Sequence, residues 1–167
     1  MKLSIRRVII IGLVWMIPII GSAHWLPRSE TFVGGVGPGC TLSYVASVYG
    51  QPAEKRWFNS DGMRGVTYVY SPYFSSTGRV WHTYQTPEGD LPVVGYSLTT
   101  SFLATPSGLT VGIPITTVTG MYGTASQVIT NRNGEKVYIY DMSPMESMAF
   151  TVNSQKVITK IYYGTDW

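Results

Sequence analysis

The sequence predicts an α+β fold in which two tandem helix–antiparallel-sheet repeats follow an export signal, with both helices packed on one sheet face. Three observations support this prediction. Two stretches 73 residues apart share one order of small, apolar and aromatic residues, a Tyr-x-Tyr strand follows each of them, and a turn signal precedes each strand. A helix followed by antiparallel strands, present twice, is typical of an α+β domain with its helices on one side of the sheet.

The two related stretches each predict a short helix. Each contains three apolar or aromatic residues with the spacing of one helix face. These are Leu42, Val45 and Tyr49 in the first stretch and Ile115, Val118 and Tyr122 in the second. Thr41 is suited to cap the first helix, and Pro114 stands where proline opens a helix well. Gly50 and Gly123 fit the left-handed position just past a helix end.

Alternating residues after each helix predict strands. The predicted strands are 66–70, 80–84, 96–102, 136–140, 148–152 and 157–162. Asp61-Gly62 and Asn133-Gly134 are turn signals that precede the two Tyr-x-Tyr strands. The predicted order is therefore one helix and then several antiparallel strands in each half of the chain.

The N-terminal residues have the pattern of a secretory signal peptide. A stretch with three basic residues precedes an uncharged run, 8–20, and small residues occupy 21–23. This run of 13 residues is shorter than the roughly 20 that a membrane-spanning helix needs, so we expect cleavage after Ala23. An uncleaved N-terminal anchor is the alternative, because apolar residues continue just beyond that point. In either case the domain lies outside the cytoplasm.

These patterns divide the chain into four parts. The signal peptide is 1–23 and an N-terminal lead-in is 24–33. The first helix–sheet repeat is 34–106 and the second is 107–167. The two copies differ mainly by an inserted loop, 73–94, in the first repeat, with the strand at 80–84 inside it.

The mature part of the chain is about neutral. The formal net charge of +3 comes from 12 Lys and Arg against 9 Asp and Glu, and three of the basic residues lie in the signal. No run of basic residues remains, so the chain lacks the electrostatic footprint of a nucleic-acid-binding protein and of a polybasic lipid-binding segment. We expect no nucleic-acid partner, and membrane contact only if the signal segment stays uncleaved.

The repeat unit resembles that of the β-lactamase inhibitory protein family and of the related outer-membrane assembly lipoprotein BamE. The pattern in residues 39–52 is Gly-apolar-Thr-Leu-x-x-Val-x-x-Val-Tyr-Gly-x-Pro, and a Tyr-x-Tyr strand follows. Over residues 34–167 the resemblance implies helical segments packed on an antiparallel sheet, whose concave face grips another protein. The chain departs from both families, because the single Cys40 cannot form the inhibitor's disulfides and no lipid-bearing cysteine follows the signal.

The 12 tyrosines all lie in the mature part and suggest a binding face. If Val69, Val137 and Ile139 face the helices, alternation places the neighbouring tyrosines on the open face of the sheet. The predicted partner-binding residues are Tyr68, Tyr70, Tyr84, Tyr138 and Tyr140. Such rings offer large, stiff contact area for a protein partner, and they also stack on sugar rings. The alternative is that another part of the protein covers them as ordinary cross-strand pairs.

The residues that could carry catalysis favour structural roles. Cys40 occupies an apolar position before the first helix, where an unpaired cysteine packs as a small hydrophobe. His24 and His82 are too few for a typical zinc site, although an N-terminal His24 left by cleavage could bind copper with a second histidine. Glu88 and Asp90 lie in a Pro-Gly turn, where acidic residues are common for local reasons. We expect no cofactor, no metal and no enzymatic activity.

The sequence therefore predicts an exported, non-enzymatic module that binds another extracytoplasmic protein through an aromatic sheet face. An inhibitor and an envelope-assembly accessory are the two roles that fit this prediction. A cell-wall or glycan-binding module using the same face is the alternative, and a copper or hydrolytic enzyme is the remote one.

Overall fold

The computed structural model describes residues 25–71 and 73–165. In this part of the chain eight strands form one antiparallel sheet, accompanied by two helices and two short 3-10 turns. The helices are α1 (Leu42–Tyr49) and α2 (Ile115–Tyr122), and the 3-10 turns are Arg28–Thr31 and Glu88–Asp90. The strands are β1 (Glu54–Ser60), β2 (Met63–Ser71), β3 (Phe74–Trp81), β4 (Val93–Leu98), β5 (Gln127–Thr130), β6 (Lys136–Ser143), β7 (Glu146–Val152) and β8 (Ile158–Thr165).

Both predicted helices are confirmed, together with their ends. The Thr41 side chain accepts a hydrogen bond from the backbone amide of Tyr44, 3.3 Å away, and satisfies one free donor of the first turn of α1. Pro114 precedes α2 in an extended conformation. Gly50 and Gly123 follow the two helices with φ angles of 81° and 77°, a conformation that glycine adopts without steric cost.

Most predicted strands coincide with observed ones, but two edge strands were not predicted. β2, β6 and β7 contain the predicted strands 66–70, 136–140 and 148–152. β1 and β5 were not among the predicted strands; they lie at the two edges of the sheet and are almost wholly exposed.

The strand order across the sheet is β1-β2-β3-β4-β8-β7-β6-β5. The two halves meet where β4 pairs with β8 in antiparallel register, with Gly95 opposite Gly164. A Cβ atom on Gly95 would lie 2.8 Å from the carbonyl oxygen of Tyr163, so the close approach of the two strands requires glycine here.

The predicted fold class, an α+β fold of two tandem helix–antiparallel-sheet repeats, is wrong. One continuous eight-stranded sheet dominates the protein, and only two helices of eight residues each accompany it. The two halves merge through a pairing that joins Leu98 to Ile161, 63 positions later in the chain. Short-range residue patterns carry no signal for a pairing of that sequence separation.

The segment 73–94, predicted as an inserted loop, contains an interior strand of the sheet. β3 lies between β2 and β4, and the 3-10 turn Glu88–Asp90 leads from it into β4. The strand predicted at 80–84 is therefore found at 74–81.

One hydrophobic core lies between the sheet and the two helices. Leu42 and Val45 of α1 and Ile115 and Val118 of α2 are buried in it. The sheet contributes the other side of the core, and its largest buried residues are Tyr96, Tyr140, Phe150 and Tyr163. Both helices therefore cover the same sheet face, which we call the helix-side face.

The segment that precedes α1 is part of this core. Leu26 is buried, and its amide donates a hydrogen bond to the Asp141 carbonyl at the end of β6, 3.2 Å away. Arg28 forms a 2.7 Å salt bridge with Glu146 at the start of β7. The predicted lead-in is therefore anchored to the second half of the sheet from residue 26 onward.

The predicted signal peptide, residues 1–23, lies outside the described residues. Neither α1 nor α2 has the length or hydropathy to cross a bilayer, and no other helix of the described chain does.

Candidate functional site

The predicted tyrosine row lies on the helix-side face of the sheet, not on the open one. Cross-strand partners point to the same face, so the register places Tyr68 with Ser76 and Tyr96, and places Tyr140 with Met148. These neighbours belong to the face that the helices cover. The predicted exposure of the row is therefore wrong for its four strand tyrosines.

Tyr68 and Tyr70 of β2 are held beneath α1 and the turn that follows β3. The Tyr68 hydroxyl donates a hydrogen bond to Glu88, and burial, followed by the contact with Glu88, raises the pKa of this phenol. Lys55 forms a 2.7 Å salt bridge with Glu88, and its ammonium lies 5.2 Å from the centre of the Tyr68 ring. The Tyr70 ring lies 5.7 Å from that of Tyr49 in α1.

Tyr138 and Tyr140 of β6 occupy the corresponding position beneath α2. Tyr140 has no exposed surface, and its hydroxyl donates a 3.0 Å hydrogen bond to the carbonyl of Gly123 at the end of α2. Tyr138 is half-buried and packs against the edge of the core. Tyr138 and Tyr140, like Tyr68 and Glu88 in the first half, therefore contribute to the packing and hydrogen bonding of the protein itself.

Strand alternation separates tyrosine from valine but does not say which of them the helices cover. In this structure the helices cover the tyrosines, and the Tyr70 ring packs 5.7 Å from that of Tyr49 in α1. The phenol hydroxyl also reaches a polar partner at the rim, as for Tyr68 and Tyr140, so burial leaves no donor unpaired there. Val69, Val137 and Ile139, expected to face the helices, lie on the other side of the sheet.

We call that other side the open face. Among the described residues, its members are half-buried or exposed except for Met63 and the glycines, which indicates that no second layer covers it. The open face consists of Glu54, Arg56, Phe58, Ser60, Met63, Gly65, Thr67, Val69, Ser75, Thr77, Arg79, Trp81, Gly95, Ser97, Gln127, Ile129, Val137, Ile139, Asp141, Ser147, Ala149, Thr151, Lys160, Tyr162 and Gly164.

Three aromatic rings lie on the open face. Trp81 at the end of β3 and Tyr162 in β8 are each 47% exposed. The Phe58 ring of β1 lies over Gly65, and the Tyr162 ring lies over Gly164. Each ring occupies space that the Cβ atom of any other residue at the glycine would need. The glycines let these two rings lie flat along the sheet, which presents their faces to solvent.

Tyr84 extends this aromatic surface at one end of the sheet. It follows β3 in the chain, is 60% exposed, and lines a cleft of about 180 Å³ together with Trp81, Met63 and Pro92. Arg64 fixes the loop because its guanidinium donates hydrogen bonds to the carbonyl of Tyr84, at 3.0 Å, and to the carbonyl of Thr86, at 2.6 Å. Tyr84 is the one predicted site residue that the structure leaves exposed as expected.

The two halves of the open face differ in polarity. The half formed by β5–β8 carries four aliphatic side chains, those of Ile129, Val137, Ile139 and Ala149, among polar ones. The half formed by β2–β4 presents hydroxyl groups, and those of Thr67 and Thr77 lie 2.9 Å apart as a hydrogen-bonded cross-strand pair. A cleft of about 330 Å³ runs along this half between Arg56 and Lys160.

The charges of the open face are few and partly paired. Arg56 donates two 2.8 Å hydrogen bonds to Glu54 two residues earlier, and these bonds lower the pKa of that carboxyl. Arg79 donates to the carbonyl and the hydroxyl of Thr165, at 2.9 and 3.2 Å. A surface with three rings, several aliphatic residues and little net charge has the composition of a protein-interface core.

The residues considered for catalysis are not brought together. Across 25–71 and 73–165 no group of three or more His, Cys, Asp or Glu side chains has the arrangement of a metal site. His24 lies outside the described residues, and His82 is exposed after β3. Cys40 packs against the edge of the core with its thiol 4.0 Å from the Gly35 carbonyl, in agreement with a packing role.

No family model matches this chain, and no curated protein matches it. A solved structure that resembles it is a cysteine-rich secretory protein from Staphylococcus aureus, with a TM-score of 0.54 and 12% identity over 83% of this chain. This chain spans 48% of that protein. At this identity the likeness concerns the fold alone.

Two further solved structures show weaker likeness. A DUF4309 family protein from Bacillus subtilis has a TM-score of 0.45 and 13% identity, over 75% of this chain and 78% of that one. An extracellular protein with an SCP domain from Bacillus anthracis also has a TM-score of 0.45, with 11% identity, over 77% of this chain and 44% of that one. None of the three is described as a β-lactamase inhibitory protein or as BamE, so that resemblance stays a prediction.

Proposed function

We propose that this protein is an exported, non-enzymatic module that binds another extracytoplasmic protein through the open face of its sheet. The observation that carries the proposal is the exposure of Trp81 and Tyr162, each 47%, on a face that no described element covers. Large rings that remain in contact with water are a common feature of protein-binding surfaces and of their energetic hot spots.

The composition of the open face supports a protein partner. The half formed by β5–β8 provides apolar area, and the hydroxyl half provides donors and acceptors on short side chains that lose little entropy when they are fixed. The sheet presents both halves on one support. A partner with a mostly uncharged surface matches this arrangement, as expected for an inhibitor or an envelope-assembly accessory.

An extracytoplasmic location is supported by two independent observations. The N-terminal residues have the order of a secretory signal: basic residues, an apolar run and small residues before the cleavage position. Two of the solved structures with a similar fold are described as a secretory and an extracellular protein.

The test compares capture of envelope and secreted proteins by the mature chain and by variants on the two faces. We expect Trp81→Ala combined with Tyr162→Ala to weaken capture of a defined partner at least tenfold. Trp57→Ala is the matched control, because Trp57 is 59% exposed but lies on the helix-side face of the edge strand β1. This control should bind as the wild type does.

Equal loss of binding in both variants would place the contact elsewhere on the protein. Unchanged binding by the double variant, with its thermal unfolding also unchanged, would refute the open face as the interface.

A further inference from the structure

A groove lies on the opposite side of the sheet from the open face. It has a volume of about 610 Å³ and is bounded by the turn before β6 and the turn after β7. Lys136 pairs with Val152 across these strands, so both belong to the helix-side face, as does Tyr138. This volume is within the range of ligand-binding clefts.

Two asparagines make the walls of the groove rigid. The Asn131 side-chain oxygen accepts two backbone amide hydrogen bonds within its turn, at 2.9 and 3.0 Å. The Asn153 side-chain oxygen does the same in the other turn, at 3.0 Å for both bonds. Each turn is thereby fixed by its own side chain, so the width of the groove is set before any ligand enters.

The groove presents two ammonium groups. Lys136 and Lys156 both line it, both are exposed, and neither forms a salt bridge within the described residues. One carboxylate also lies on the lining, that of Glu135, and it accepts a 2.9 Å hydrogen bond from Asn131. Positive charge therefore exceeds negative charge in the groove, which attracts an anion.

An aromatic ring lines the same groove as these cations. Tyr138 is half-buried, with part of its ring against the core and the rest on the groove lining. Ser154, Asn133 and Asn153 add hydroxyl and amide groups to the lining. A fixed ring, two ammonium groups and several neutral polar groups are the combination that recognises a sugar ring with an attached acid.

We infer that this groove binds a short anionic glycan segment, that is, a sugar ring carrying a carboxylate or a phosphate group. Lys136 and Lys156 pair with the acid, while Tyr138 supports the sugar ring. The site is separate from the open face, so the protein can hold an anionic glycan and a protein partner at the same time.

The test is titration calorimetry of the mature chain with four probes: trigalacturonate, glucose 6-phosphate, neutral maltotriose and inorganic phosphate. We expect saturable binding of at least one acidic sugar, at least tenfold tighter than binding of the neutral sugar or of inorganic phosphate. The two acidic probes distinguish a carboxylate ligand from a phosphate ligand.

Variants locate the site. Lys136→Gln and Lys156→Gln should each weaken binding of the acidic sugar at least fivefold, and Tyr138→Leu should do so with an unchanged circular dichroism spectrum. Lys160→Gln is the matched control, because Lys160 is an exposed lysine on the open face of the same sheet. This variant should bind as the wild type does.

Three results would overturn the inference. These are the absence of saturable binding to both acidic sugars, equal binding of inorganic phosphate, and equal weakening by Lys160→Gln and by the groove variants. The first would show that no such ligand binds, the second that only a free anion is recognised, and the third that binding follows overall charge.

Discussion

The phenol hydroxyl of Tyr140 donates a hydrogen bond to the backbone carbonyl of Gly123, 3.0 Å away, and so ties the interior of the sheet to the end of α2. The ring has no exposed surface. It packs edge-on against Phe150 of the neighbouring strand, with ring centres 5.8 Å apart. The same side chain thus fills the core and pairs a carbonyl that α2 leaves free at its end.

Removing this hydroxyl should destabilise the protein. We expect Tyr140→Phe to lower the free energy of unfolding by about 1 kcal/mol, because the half-buried carbonyl of Gly123 loses its partner. Tyr140→Ala removes the ring as well and should cost about 3–5 kcal/mol. Urea unfolding followed by circular dichroism measures both changes. Tyr84→Phe, at an exposed position, is the control and should change the stability by less than about 0.5 kcal/mol.

The helices could be predicted from the sequence because their signals are local. Thr41, Gly50, Pro114 and Gly123 each act on the neighbouring backbone, and the structure uses them as expected. The binding face could not be predicted in the same way. Alternation in β2 and β6 separates the tyrosines from the valines, but it does not say which set the helices cover.

The two edge strands have a signal that could have revealed them. An Asp-Gly or Asn-Gly turn joins two strands, so a strand is expected before each turn as well as after it. β1 ends at Ser60, just before Asp61-Gly62, and β5 ends shortly before Asn133-Gly134. Neither strand shows alternation in burial, since an edge strand with both faces exposed has little reason to alternate.

Two glycines should respond to alanine in opposite directions. Gly78 of β3 lies directly beneath α1, and a Cβ atom there would be 2.8 Å from the Leu42 side chain and 2.9 Å from that of Leu91. Gly78→Ala should therefore destabilise the protein by about 1–3 kcal/mol. Gly120 in α2 has open space at the same position, so Gly120→Ala should stabilise it by about 0.5–1 kcal/mol.

Thermal or urea unfolding of the two alanine variants gives a direct comparison. Equal stability of Gly78→Ala and the wild type would show that α1 moves away from β3 at little cost. Destabilisation by Gly120→Ala would contradict the open surroundings of that residue.

The buried tyrosines should make the protein sensitive to alkali. Burial raises the pKa of Tyr70 to about 12, and burial, with a smaller effect of Tyr138, raises the pKa of Tyr140 to about 12. An unfolded tyrosine ionises near 10.0. Between these values the folded state holds more protons than the unfolded state, so stability should fall as the pH rises from about 10 to about 12.

Phenylalanine variants test this alkaline effect. Between about pH 10 and pH 12, Tyr70→Phe and Tyr140→Phe should each reduce the number of protons released on unfolding by about one proton. This number is measured from the slope of the unfolding free energy against pH. Tyr84→Phe is the control, because this phenol is exposed. An unchanged slope in both core variants would contradict the burial of these hydroxyls.

Glu88 should provide the corresponding effect in acid. The ammonium of Lys55, and then the hydroxyl of Tyr68, hold the pKa of the Glu88 carboxyl below its ordinary value of 4.5. The folded state therefore favours the ionised carboxylate of Glu88. This carboxylate stabilises the fold fully above about pH 4.5. The stabilisation is lost as the pH falls through the lowered pKa that Glu88 has in the folded state. Glu88→Gln should weaken this acid dependence between about pH 5 and pH 3, and should lower the stability at pH 7. Glu135→Gln, in an exposed turn on the other half of the sheet, is the control. If Glu88→Gln keeps the full acid slope of the wild type, the salt bridge from Lys55 does not persist in solution.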